Sequence, residues 1–272
     1  MRRSIWFQRW LIEGFSIRQL QKISGLSHRT LRTIITTTLT TLPPQQHNAY
    51  PQHLHLIFDG TFLFQRIGMV CLMNASHHFI IAGQYHIAEN SETQLRSFFF
   101  PLQSKGLAPQ SYTVDGNPQV IRVLKSLWPN ITIQRCLVHI QRQGLMWCRA
   151  KPKRTEAQHL RKIFLMVTSI KTFEQRDYFL QQFHRWEHAY GHRVADISQR
   201  GWVASDLKRA RSMLLKALPN MFHYLTNPSI PTSTNGLEGY FARLKQHYRQ
   251  HRGLAPHKRF AYFQWYFFLR PH

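Results

Sequence analysis

Across the first forty positions apolar residues recur at helical spacing, break, and recur again. Ile5, Trp6, Trp10 and Leu11 predict a first helix over 5–13. Ile17, Leu20 and Ile23 predict a second that stops at Gly25, and Leu31, Ile34 and Ile35 a third, begun by Ser27 as N-cap. Helix, tight glycine turn, helix is the helix-turn-helix plan, in which the second helix of the pair enters the major groove. His28, Arg29, Arg32 and Thr33 would then be the exposed residues that contact DNA. A plain three-helix bundle satisfies the same periodicity; the basic exposed face favours DNA binding.

The periodicity fades at Pro43-Pro44-Gln45-Gln46, and Pro51 follows, so 43–53 reads as a linker after a first domain of residues 1–42. Beyond it, runs at 54–59, 65–74 and 78–83 predict three strands, with a turn at Asn74-Ala75-Ser76-His77. A helix over 91–105, a strand over 110–115, a helix over 118–127 and a strand over 131–135 come next. Helical spacing then dominates, over 157–169, 172–190, 201–217, 234–247 and 256–269. Three strands followed by alternating helix and strand predict an α/β domain over 54–272, a mixed sheet with helices on its faces.

Charge narrows the function. Thirty-six lysines and arginines against twelve carboxylates give a net charge of +24 and a pI near 10.8. The basic residues are spread along the whole chain, so nucleic acid is the expected partner and an anionic membrane surface the weaker one. The longest apolar run, 260–269, is far short of the ~20 residues that cross a bilayer. Arg9 and Glu13 interrupt the first apolar stretch, as no signal-peptide core would allow. Cys71, Cys136 and Cys148 form no C-x-x-C pair, which argues against a disulfide framework and for a reduced, cytoplasmic setting.

Against so much positive charge, three acids stand out. Asp59, in Phe58-Asp59-Gly60-Thr61, is expected to close an apolar strand; Asp115, in Val114-Asp115-Gly116-Asn117-Pro118, repeats the design before a helix. Either alone reads equally well as an Asp-Gly turn; two such acids can lie side by side in one sheet. Glu238 sits on a predicted helix between Gly236 and Gly239, sharing a face with Ala242 and Lys245. Three oxygen donors suit Mg²⁺ or Mn²⁺, and a pair of such ions is expected for in-line displacement at phosphorus. Paired-carboxylate hydrolysis of sugars fits the charge poorly. Cys136 and His139, three apart at a helix start, form half a zinc site at most; from spacing alone a buried thiol beside a hydrogen-bonded histidine is the slightly better reading. The aromatic helix from Phe260 to Phe268 is expected in the core.

Together these stretches, with Arg135-Cys136-Leu137-Val138-His139 and Thr234-Asn235-Gly236-Leu237-Glu238-Gly239 running on to Arg243-Leu244-Lys245, resemble the mutator-like bacterial insertion-sequence transposases. The resemblance spans about 54–269 and implies an RNase H-like fold of the DDE superfamily with a helical insertion near 140–232. It implies Asp59, Asp115 and Glu238 as the catalytic, metal-holding triad and Cys136 and His139 as its support. Asn235, Arg243 and Lys245 would position Glu238 or meet DNA phosphates. The expected activity is cleavage of transposon ends and strand transfer into double-stranded target DNA, by a dimer or larger assembly at the nucleoid. An inactive transposase-derived regulator and an RNase H-like, structure-specific nuclease are the alternatives.

Overall fold

The computed structural model describes residues 2–44, 50–52, 54–64, 67–196, 201–251 and 253–271. Part of the predicted linker, 45–49 and 53, lies outside them. Three helices open the chain: α1 (Arg2–Ile12), α2 (Ile17–Ser24) and α3 (His28–Thr38). A capping box between Ser16 and Gln19 starts α2, Gly25 ends it at φ +71°, and the Ser27 hydroxyl accepts the Thr30 N–H at 3.1 Å to start α3. Gly25 and Ser27, the boundary signals read from the sequence, are ones the backbone uses.

The sheet is built from β1 (His55–Phe64), β2 (Ile67–Asn74), β3 (Ile80–Tyr85), β4 (Ser111–Val114) and β5 (Thr132–Arg135). Its order is β3-β2-β1-β4-β5, with β1–β2 and β2–β3 antiparallel and β1–β4 and β4–β5 parallel. Helices α4 (Glu92–Ser104) and α5 (Pro118–Leu127) connect β3 to β4 and β4 to β5.

One expectation is corrected here. Asp59 does not close β1, which runs five residues further as a ribbon with β2 alone, Asp59 opposite Cys71 and Gly60 opposite Val70. An Asp-Gly pair signals a turn only when no partner strand takes up its backbone bonds. Pairing with the parallel neighbour β4 stops at Ile57↔Thr113, so Asp59 still stands just past the end of the parallel pairing. That end opens into a crevice.

Alternation along β1 decides what faces what. Leu56 and Phe58 join Val70, Tyr112 and Val114 under α4 and α5, against Leu95, Phe99, Val120 and Val123. Ile57 turns to the other face, where Met69, Cys71 and Met73 pack under α12 (Asn235–Arg249) and α13 (Pro256–Leu269). Asp59 shares that second face. Between sheet and α12 the chain folds α6 (Leu137–Cys148), α7 (Thr155–Met166), α8 (Phe173–Trp186), α9 (His192–Ala195), α10 (Trp202–Ala217) and α11 (His223–Thr226) around a core of their own. A π-helical turn, Glu187–Gly191, joins α8 to α9.

Tyr262, Phe263 and Tyr266 of α13 are fully buried, as expected, whereas Phe260 at its start is exposed. They share one cluster with Phe7, Trp10 and Leu11 of α1 and with Leu20 and Leu31. The three cysteines are free and buried. Among the described residues no helix is long and apolar enough to cross a membrane.

Candidate active site

Asp59 is buried on the α12 face of β1, and its Oδ1 accepts the Gly60 N–H at 2.8 Å. Asp115 follows β4 directly, and its Oδ1 accepts the Asn117 N–H at 2.9 Å. Asn117 in turn caps α5 and donates from Nδ2 to the Glu89 carbonyl at 3.2 Å, which fastens the segment before α4 to the Asp115 turn. Gly116, at φ +104°, leaves space that the buried Arg135 guanidinium occupies; Arg135 Nη2 donates to the Asp115 carbonyl at 3.1 Å.

Glu238 arrives from the first turn of α12. Its placement depends on a buried knot at the base of that helix. The Thr234 N–H donates to Cys136 Sγ at 3.3 Å and its hydroxyl to the same sulfur at 3.7 Å. Leu137 N–H donates to the Thr232 carbonyl, and the Thr113 hydroxyl to the Pro231 carbonyl, at 2.9 and 2.8 Å. The stretch leading into α12 is thereby held by both β4 and α6. His139 Nδ1 lies 3.2 Å from Cys136 Sγ and 3.4 Å from Thr234 Oγ1.

Asp59, His139 and Glu238 each bring one potential ligand atom to a common point, all within 4.8 Å of one another. His139 Nε2 is 3.6 Å from Glu238 Oε1, and Arg142 forks across the carboxylate at 3.4 and 3.3 Å. The tight cluster therefore has His139 where Asp115 was expected as the third member. Asp115 stands beside it, close enough for its charge to act on Asp59, Glu89 and His139.

Crowding shows in the protonation of these groups. Burial lifts Asp59 to about 6, aided by the Asp115 charge and opposed by a Thr234 hydrogen bond and His139. Burial, then the charges of Asp115 and Asp59, lifts Glu89 to about 8. The hydrogen bond to Cys136 raises His139 to about 9 against the effect of burial. Burial alone would raise the Cys136 thiol, but the His139 contacts outweigh it and the net direction is down. Carboxylates that repel one another around the buried Asp59 form an oxygen donor set that fits a hard divalent cation, with His139 beside them as a charge partner.

The cluster lines a cleft of about 450 Å³, whose wall continues along α12 through Phe241, Ala242, Lys245 and Arg249. Lys245 Nζ donates to the Thr61 hydroxyl across it. Lys245 thus faces the site, while Asn235 and Arg243 are exposed and do not line the cleft. His28, Arg29, Arg32 and Thr33 are exposed on α3, on a separate surface.

Glu89, Arg142, Thr234 and Arg249 are neighbours that sequence reasoning missed. Arg249 had a signal, because 238, 242, 245 and 249 repeat on one helical face. Glu89 had none; it lies in a loop with no motif around it.

A family model described as "Transposase, Mutator family" matches residues 75–257, which include Asp115, Cys136, His139 and Glu238. No curated protein matches the chain.

Proposed function

Because the chain belongs to the Mutator family of transposases, we propose that it cuts the ends of its DNA element and joins them to a target by metal-dependent phosphoryl transfer. The catalytic acids are Asp59, Asp115 and Glu238, on an RNase H-like frame of the DDE kind. The carrying observation is the convergence of Asp59 and Glu238, from opposite ends of the chain, within 4.8 Å of each other and of His139. The sheet order, with its central strand antiparallel on one side and parallel on the other, supports the RNase H-like reading.

Asp59 and Glu238, with Asp115 beside them, would hold Mg²⁺ or Mn²⁺, two ions in all. Bound there, such ions neutralise charge on the attacking and leaving oxygens of an in-line displacement. The chain's own groups do the rest. Lys245 and Arg249 line the same cleft and draw a DNA phosphate against the acids. His139, cationic at neutral pH, keeps Glu238 turned inward and adds positive charge beside the phosphate. Cys136 and Thr234 are positioning residues that fix where α12 begins.

In this reading residues 1–42 supply the DNA-reading unit, with His28, Arg29, Arg32 and Thr33 on the contact face. Bringing two element ends together requires at least a dimer on DNA. The test is a strand-transfer assay with Mg²⁺ on duplexes carrying the element's terminal inverted repeats. Joined product that disappears in Asp59→Asn, Asp115→Asn and Glu238→Gln supports the proposal. Cleavage with no joining would replace it with a nuclease, and binding with no cleavage would replace it with a regulator.

A further inference from the structure

The three N-terminal helices do not hang free on the segment that follows them. His251, just past α12, donates from Nε2 to the Trp10 carbonyl at 2.9 Å and meets the Trp10 ring in a tilted contact, 4.2 Å between centroids. Trp265 of α13 donates from Nε1 to the carbonyls of Thr38 and Thr41 at 3.2 and 2.9 Å. Phe7 meets the Trp265 ring edge-on at 5.5 Å. Apolar packing and hydrogen bonds thus fix α3 relative to the body that carries the cleft.

This seating leaves a groove of about 570 Å³ between the N-terminal helices and the turn into α13. Arg18 of α2, Arg32 of α3 and Lys258 of α13 all line it, and among the described residues no carboxylate does. Thr36 and Gln250 add neutral hydrogen-bonding groups. Three cations converging from three helices without an opposing acid repel one another, and an anion in the groove offsets that repulsion. Arg32 also belongs to the exposed face of α3, so the groove is continuous with the surface that would read DNA.

We infer that the groove seats the phosphate backbone of duplex DNA, so that the N-terminal helices and the catalytic body grip one DNA segment together. Phosphate contacts of this kind set register and orientation, while base contacts set sequence preference. A bound end would then lie in a fixed direction relative to the cleft. The inference rests on the reading of α3 as the DNA-reading helix.

Lys258 discriminates, because it lies outside the N-terminal helices altogether. The experiment is anisotropy-based binding, in EDTA, to a terminal-repeat duplex and to a scrambled duplex of equal length across a salt series. Lys258→Ala and the exposed Arg18→Ala should each lower the slope of log affinity against log salt by about one, with melting temperatures unchanged. Both should weaken the two duplexes alike, whereas Arg29→Ala should weaken the terminal repeat more. Normal slopes for Lys258→Ala and Arg18→Ala beside an impaired Arg29→Ala would overturn the joint grip and leave the helix-turn-helix standing. If Arg29→Ala is also silent, the helix-turn-helix reading falls, and this inference with it.

Discussion

Glu89 lies against the bare Cα of Gly60: a Cβ at that position would stand 1.8 Å from Glu89 Oε1. Gly60 sits in ordinary strand pairing opposite Val70, so the backbone does not call for glycine. Space does. The residue next to Asp59 is kept small so that a further carboxylate can reach the site.

Gly60→Ala should therefore act through Glu89. The added methyl displaces that carboxylate, and Mn²⁺ affinity measured by titration calorimetry should fall about tenfold, as for other losses of an outer partner at a metal site. In a Glu89→Ala background the same change should have no further effect. An equal loss in both backgrounds would mean that Gly60 matters for another reason.

Crowded acids make the cleft responsive to cations. Mg²⁺ bound by the folded chain and not by the unfolded one raises stability with concentration. Melting temperature should climb through a Mg²⁺ series in wild type and stay nearly flat in Asp59→Asn. Parallel climbs in the two proteins would place the cation elsewhere.

Cys136 has no disulfide or zinc partner among the described residues, yet its sulfur accepts two hydrogen bonds from the fully buried Thr234. Cys136→Ala leaves that buried N–H unsatisfied and should destabilise the fold by roughly 1–3 kcal/mol. Cys136→Ser keeps an acceptor and should recover part of the loss. Because Thr234 immediately precedes α12, strand-transfer activity should drop more than melting temperature in Cys136→Ala; equal retention of both would remove the positioning role.

How much of this was readable in advance differs by element. The end of α2 and the start of α3 were legible because Gly25 and Ser27 act through local backbone bonds. Asp59 stands out in the sequence as a candidate site residue, but its expected place at a strand end does not hold, since the ribbon pairing that carries β1 onward is a contact with β2 and leaves no local trace. Glu89 and Arg142 were invisible for the same reason: each reaches the cleft through tertiary placement. The sequence also gave no sign that α1 would pack on α13. Trp10 and Tyr262 are both aromatic, and only the fold makes them neighbours, at 5.8 Å.

His251 meets both of these rings. Burial, reinforced by the His247 charge and opposed by the Trp10 carbonyl, pushes His251 down to about 4, so it is neutral in the folded chain near pH 7. An unfolded histidine titrates near ~6.5, so between those values the unfolded state binds more protons and stability rises with pH. The contribution of His251 is complete above the unfolded value and is lost as pH falls toward 4, by about 3 kcal/mol at the limit. His251→Gln keeps a donor for the Trp10 carbonyl but cannot titrate. Its melting temperature should fall less than that of wild type between pH 7 and pH 5. Because His251 fastens α1 to the body, proteolysis near residue 44 should quicken over the same range in wild type and less in the variant. Parallel pH profiles for the two proteins would show that this histidine does not govern the seating of the N-terminal helices.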